Sequence, residues 1–335
     1  MDNTPDIDLT AIEEAMRSAC HGGPNLAGRD VTRLLDLTPD EFDLVLDTAA
    51  QQKGEWAYGN YETPCKGKSV AIIMEKPSLR TRTSFEVGAA RLGAHPVVMA
   101  DGNSAFSRGE TVQDTTLVLE RFVDCIVLRT FEQSKVEEVA DWANIPVINA
   151  LSDDFHPCQG LADALTIREK KGSLEGLTVA DVGDGANNMA HTYLEMGALA
   201  GMNVRIGCPE THMPYEEYVE ECEEVAELTG GSVTVTNDVR EAVAGADVVL
   251  TDTWTSMGDE DAHDDNLAAF EGWQVNAELM MLAKPDAIFM HCLPAHRGEE
   301  VTDEVIDGEQ SVVYDEAENR LHAQKALMSL VMGGA

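Results

Sequence analysis

Four short polar segments combine residue types that can hold an anion and polarise a carbonyl group. Ser78-Leu79-Arg80-Thr81-Arg82-Thr83 follows the apolar run Ser69-Val70-Ala71-Ile72-Ile73-Met74 and opens a helix-like stretch. Backbone N–H groups, hydroxyls and guanidinium groups on one turn at a helix start suit a phosphate. The competing reading is a helix cap with surface arginines; in a chain so poor in basic residues, two on one turn favour the anion site. His156-Pro157-Cys158-Gln159 can offer an imidazole N–H to a carbonyl oxygen and a carboxamide to an adjacent NH2 group. Taken alone it reads more simply as a proline turn with a structural histidine.

Asp252-Thr253-Trp254-Thr255-Ser256-Met257-Gly258 puts a carboxylate at a strand end, where it can anchor an ammonium group, ahead of a stretch able to form a lid. Alone, it is an ordinary acidic loop. His291-Cys292-Leu293-Pro294 sets a thiol on a proline-stiffened turn that can border a small amine. Zinc would need further ligands at suitable spacing, and a cysteine nucleophile needs a partner base that sequence cannot place. Val182-Gly183-Asp184-Gly185 is a partial dinucleotide fingerprint, but Asn188 stands where its third glycine belongs and no acidic residue clearly ends the next strand. No cofactor and no metal are therefore expected.

These segments need strands to carry them, because ligands of open α/β sheets bind beyond the carboxyl ends of strands. The pattern supplies them. Strands are predicted at 69–74, 96–99, 125–128 and 147–149, alternating with helices at 80–92, 110–122 and 134–142. A helix starts at Thr38-Pro39-Asp40-Glu41, with proline at its first position. A second series has strands at 177–182, 203–207, 232–235, 248–251, 287–290 and 311–314, with helices between them and a terminal helix from Ala317 to Met332. Strands alternating with helices of this length imply an α/β fold of two doubly wound domains, each a parallel β-sheet flanked by helices. The expected division is an acidic extension over 1–25, a first domain over 26–150 and a second over 151–317.

The 335 residues suit about two domains of ~150 residues each, and 44% hydrophobic content is enough for two ordinary cores. No apolar run reaches the ~18 residues of a membrane span, and the first thirty residues do not read as a signal peptide. Seven cysteines without CxxC pairs fit a reducing cytoplasm. The charge is the unusual property: 23 Lys and Arg against 61 Asp and Glu give a formal −38. Such a surface repels nucleic acid and anionic membranes. Because molar salt shortens the Debye length to ~3 Å and screens the self-repulsion, a halophilic cytoplasm is expected.

In this order, SxRTR, HPCQ and HCLP resemble the aspartate/ornithine carbamoyltransferase family along nearly the whole chain, from about Leu26 to Leu330. The Asp-x-x-x-Ser-Met-Gly segment is similar to the ornithine branch. The resemblance implies a first domain for carbamoyl phosphate, completed by the C-terminal helix over 318–335, and a second for L-ornithine. It also implies a homotrimer or a multiple of trimers, and formation of L-citrulline and phosphate in arginine metabolism. Carried over residue by residue, Ser78, Leu79, Arg80 and Thr81 would hold the phosphate, and Arg129 would reach both phosphate and carbonyl. His156 would bond the carbonyl oxygen and Gln159 the carbamoyl NH2, with Pro157 and Cys158 in the same segment. Asn188, Asp252, Ser256 and Met257 would bind ornithine, Cys292 and Leu293 would line the amine's approach, and Arg320 would complete the carbamoyl phosphate site. Arg80, Arg129, His156 and Cys292 are the catalytic candidates.

Two positions depart from the family pattern. Leu79 replaces a threonine, and Ala105 stands where Gln or His usually reaches the neighbouring subunit's phosphate, with Arg108 close by. Carbamoyl transfer to another amine, such as putrescine or an acylated ornithine, is the competing activity. A non-catalytic anion-binding protein of the same fold is the competing class, opposed by the intact Arg80, Arg129, His156 and Arg320.

Overall fold

The computed structural model describes residues 25–100, 106, 109–255 and 267–333. Residues 1–24 of the expected acidic extension, Ala105, Arg108, Ser256 and Met257 lie outside the described residues. A 3-10 turn, Leu34–Asp36, leads into α1, Pro39–Tyr58. Thr38 Oγ1 accepts from Glu41 N while Glu41 Oε2 accepts from Thr38 N, a reciprocal cap that the sequence encodes locally.

Then follow β1 (Ser69–Met74), α2 (Leu79–Arg91), β2 (His95–Ala100), α3 (Val112–Leu119), β3 (Cys125–Arg129), α4 (Gln133–Trp142) and β4 (Val147–Leu151). The first sheet has the order β2-β1-β3-β4, all parallel. Helix α5 (Pro157–Lys171) opens the second series: β5 (Thr178–Val182), α6 (Asn188–Leu199), β6 (Asn203–Gly207), α7 (Glu216–Thr229), β7 (Ser232–Thr236), α8 (Val239–Val243) and β8 (Val248–Leu250). Short helix α9 (Ala277–Met280), β9 (Ile288–Met290), short helix α10 (Asp303–Ile306) and the long α11 (Val313–Val331) complete it. The second sheet has the order β7-β6-β5-β8-β9, again all parallel. Two parallel sheets flanked by helices are thus the architecture, as the alternation implied.

The strands read as continuous apolar runs because both faces of each sheet are buried. In β1, Val70, Ile72 and Met74 enter one cluster and Ala71 and Ile73 another; in β5, Val179 and Ala180 divide in the same way. One apolar cluster is shared by both halves, running from Ile72 and Val127 through Leu161 and Leu165 of α5 to Val179 and Leu250. Residues 157–167 of α5 are all buried, as a helix between two layers must be. Helix α11 packs against α1, α2 and α5, so the end of the chain returns to the first sheet's helices. Among the described residues no helix is long and apolar enough to cross a membrane.

One expected element is different. Ser311-Val312-Val313-Tyr314 was predicted to be a strand, but Ser311 makes only an isolated bridge to Phe289 and α11 begins at Val313. Two β-branched residues and a tyrosine favour strand locally; packing of the helix against three others overrides that preference.

Candidate active site

A cavity of about 630 Å³ lies between the carboxyl ends of the two sheets. Its first wall is the start of α2. Ser78 is the N-cap, its Oγ accepting from Thr81 N at 3.2 Å, and Ser78, Arg80 and Thr81 all line the cavity. The side chain of Arg80 donates to the Leu293 carbonyl across the cavity. Arg129, at the end of β3, and Arg320, from α11, both donate to Thr81 Oγ1, at 3.3 and 3.2 Å. Three guanidinium groups from three elements therefore converge on one helix N-terminus. Burial, then Arg320 and Arg80, lower Arg129 to about 10; burial lowers Arg320 too. A dianion placed there would relieve that repulsion.

His156 caps α5 from the first sheet's side of the cavity and is 4% exposed. Burial, then Arg320, Arg129 and Arg80, push it well below the ordinary histidine value, so the imidazole is neutral and can donate from one ring nitrogen. Its backbone N–H donates to Thr192 Oγ1 at 2.9 Å, and Thr192 Oγ1 donates to the Asn188 carbonyl at 2.6 Å. Gln159, one turn further, accepts from Arg320 Nη1 at 2.6 Å through Oε1. With its oxygen turned toward Arg320, the Gln324 amide accepts from Nε at 3.2 Å and Nη2 at 2.9 Å.

The opposite wall is acidic. Asp252 lies just past β8 and accepts from the Cys292 thiol at 3.1 Å. Burial, then Asp252, pushes that thiol well above its usual range, so Cys292 is a hydrogen-bond donor here and not a base. Asp184 follows β5; burial is the largest influence and raises it to about 6, with Asp252 adding to the effect. Both ring nitrogens of His291 are engaged: its Nδ1 accepts from Leu293 N at 2.9 Å and its Nε2 pairs with Glu300 Oε1 at 3.1 Å. Those bonds hold Leu293 at φ 59, a left-handed conformation uncommon outside glycine, with its carbonyl on Arg80. Asn188 lines the cavity with its Nδ2 on the Ser152 carbonyl at 2.7 Å.

The cavity thus brings together Ser78, Arg80, Thr81, Arg129, His156, Gln159, Asn188, Asp252, Cys292, Leu293 and Arg320. Leu79 is 80% exposed and is not a wall of it. Cys158 is fully buried with its thiol on the Asn149 carbonyl, and Pro157 is the buried first residue of α5; neither lines the cavity. Sequence reasoning missed Lys76, Asp153 and Asp184. Lys76 sits two residues after β1, pairs with Asp153 Oδ1 at 2.5 Å and lies 4.3 Å from the Phe131 ring centre. A charged residue just past an apolar strand was the available signal for all three. The glycines of the Val182–Gly185 segment serve packing: a Cβ on Gly185 would meet the His212 carbonyl at 2.7 Å, and Gly183 has φ 139.

A pocket cationic at one sheet and acidic at the other suits transfer of a group from an anionic donor to a cationic amine, which defines a two-substrate transferase. Known proteins make this particular. The descriptions "Aspartate/ornithine carbamoyltransferase, carbamoyl-P binding domain" and "Aspartate/ornithine carbamoyltransferase, Asp/Orn binding domain" match residues 29–169 and 175–331. The chain belongs to the aspartate/ornithine carbamoyltransferase family. It is 55% identical over 295 residues to the ornithine carbamoyltransferase of Clavibacter sepedonicus, covering 88% of this chain and 95% of that one. It is 49% identical over 303 residues to that of Anoxybacillus flavithermus, covering 90% and 96%. The solved ornithine carbamoyltransferase of Pyrococcus furiosus superposes with a TM-score of 0.90 at 48% identity, covering 93% of this chain and 99% of that one.

Proposed function

We propose that the enzyme transfers the carbamoyl group of carbamoyl phosphate to the side-chain amine of L-ornithine, giving L-citrulline and phosphate. The observation that carries this reading is the pairing of three arginines and a neutral histidine with Asp252 across one cavity. Arg80, Arg320 and the start of α2, with Ser78 and Thr81, take the phosphate. Arg129 spans phosphate and carbonyl, His156 donates to the carbonyl oxygen, and Gln159 accepts from the carbamoyl NH2. Asp252 and Asn188, with Ser256 and Met257, hold the ornithine amino-acid group; putrescine has no carboxylate for such a loop to grip.

The neutral amine attacks the carbonyl carbon, the new N–C bond forms, and the C–O bond to phosphate breaks. Negative charge grows on the carbonyl oxygen, where a neutral imidazole and a guanidinium are already placed; losing one such donor commonly costs ~2.7–4 kcal/mol of barrier. Since Cys292 is a thiol bonded to Asp252, the departing phosphate is the acceptor we favour for the amine's proton.

We divide the chain into a carbamoyl phosphate domain over 26–150, completed by 318–335, and an ornithine domain over 151–317. The assembly we propose is a homotrimer or a multiple of trimers in a halophilic cytoplasm, serving arginine metabolism. Formation of the carbamoylated product from carbamoyl phosphate, measured in high salt with ornithine, putrescine and N-acetylornithine in parallel, tests the reading. Ornithine should be preferred by at least tenfold in kcat/KM, and a preference for either other amine overturns it. Arg80→Ala should abolish turnover at saturating carbamoyl phosphate, because the leaving group loses a charge-assisted partner; retained turnover would refute the phosphate assignment.

A further inference from the structure

Beneath the carbamoyl phosphate wall lies a pair of acids with no role in the reaction so far. Asp163 of α5 and Glu316 of α11 are both fully buried and face each other. Gln159 Nε2 donates to both, at 2.7 Å to Asp163 Oδ1 and 3.2 Å to Glu316 Oε1. The second oxygen of Glu316 accepts from the His291 backbone N–H at 2.8 Å. Asp163 Oδ2 has no hydrogen-bond partner; besides Gln159, the groups acting on the Asp163 carboxyl are the cation Arg320, Glu316 and the Tyr193 hydroxyl. Two adjacent buried carboxyls cannot both be ionised, so the pair holds one proton. Hydrogen bonding assigns it. Both oxygens of Glu316 accept N–H groups, which favours the carboxylate there, whereas the Asp163 oxygen that accepts none is the better carrier of the proton. Burial raises both acids above the usual carboxylate range, in accord with a retained proton.

We infer that Asp163 and Glu316 form a singly protonated pair that positions Gln159, fixing its amide with nitrogen inward and oxygen toward Arg320 and the carbamoyl group. Through His291 the same Glu316 ties that amide to the Cys292–Leu293 turn, so one buried carboxylate sets both substrates' walls. The inference rests on the reading of Gln159 as the partner of the carbamoyl NH2.

Isosteric variants of the whole enzyme test it. Asp163→Asn keeps an acceptor for Gln159 and an N–H for Glu316, so kcat/KM for carbamoyl phosphate should stay within about threefold of wild type. Glu316→Gln must turn an NH2 toward another N–H donor, and kcat/KM should fall about 10- to 100-fold. In a Gln159→Ala background the Glu316→Gln loss should largely disappear, since a positioning residue has nothing left to position. Additive losses, or an Asp163→Asn loss as large as that of Glu316→Gln, overturn the role. An unchanged Gln159→Ala enzyme overturns the Gln159 reading and the role with it. Infrared difference spectra of wild type against Asp163→Asn need no destabilised variant. A protonated-carboxyl band present at neutral pH and lost in Asp163→Asn is expected, and its absence from wild type overturns the shared proton.

Discussion

Replacing Arg129 with methionine should stabilise the unliganded protein while removing carbamoyl phosphate binding. Arg129 is 3% exposed, and burial, then Arg320 and Arg80, lower it from 12.5 to about 10. A lowered value means that the folded state holds the charged guanidinium less favourably than the unfolded chain does. That penalty is present in full at every pH below the folded value, neutral pH included, and fades only as pH rises toward the ordinary arginine value. At 1.36 kcal/mol per pK unit it amounts to about 3 kcal/mol. Against it stands one hydrogen bond to Thr81 Oγ1 at 3.3 Å, worth about 1 kcal/mol, while a buried Nε without a partner adds to the penalty. Methionine keeps the unbranched apolar stem and drops the charge. The net gain should be about 1–2 kcal/mol, or roughly 1–3 °C in Tm for a chain of this size. Scanning calorimetry with and without carbamoyl phosphate checks both halves: the ligand should raise the wild-type Tm and leave that of the variant unmoved. A variant that melts below wild type, or that gains as much from the ligand, would refute the idea that the empty site stores charge repulsion for a dianion.

Asp252→Asn should weaken ornithine binding by at least tenfold while carbamoyl phosphate affinity stays near normal; calorimetry on each ligand separately would expose equal losses. Arg33→Met should destabilise by about 3–5 kcal/mol, because Glu195, fully buried and paired to Arg33 Nε at 2.5 Å, loses its cation. Glu195 is raised to about 7 even with Arg33 present, burial being the cause. A raised carboxyl favours folding as it takes up its proton, so the variant's deficit should shrink as pH falls from 8 to 6, and a deficit that grows would contradict this. The net charge of −38 should make assembly and activity fall together in dilute buffer and recover in molar potassium chloride. Light scattering and product assays across one salt series test that, and a fully active oligomer at ~0.1 M salt, where screening reaches only ~10 Å, counts against the halophilic reading.

The order of strands and helices was legible in the sequence because apolar runs, Thr-Pro starts and loop residues are local signals. Four polar segments at strand ends were legible too, and SxRTR carried its anion-site reading unaided. HPCQ and the Asp252 segment each read more simply as a structural turn or loop until they were taken together with SxRTR and HCLP. What tertiary structure alone decided is which of their residues face the cavity. Leu79 and Cys158 belong to the right segments, yet one is solvent-exposed and the other buried behind the wall. Val312-Val313-Tyr314 has strand-like residues, but helix packing settled its conformation. The protonation states came last of all. His156 is neutral because folding buries it and because Arg320, Arg129 and Arg80 reach it from three different elements, and the Asp163–Glu316 pair forms only when α5 meets α11. Gln159 and Glu316 are 157 positions apart in the chain and 3.2 Å apart in space. Local propensity acts over a few residues, whereas burial and Coulomb energy depend on distance in space, and folding is what sets that distance.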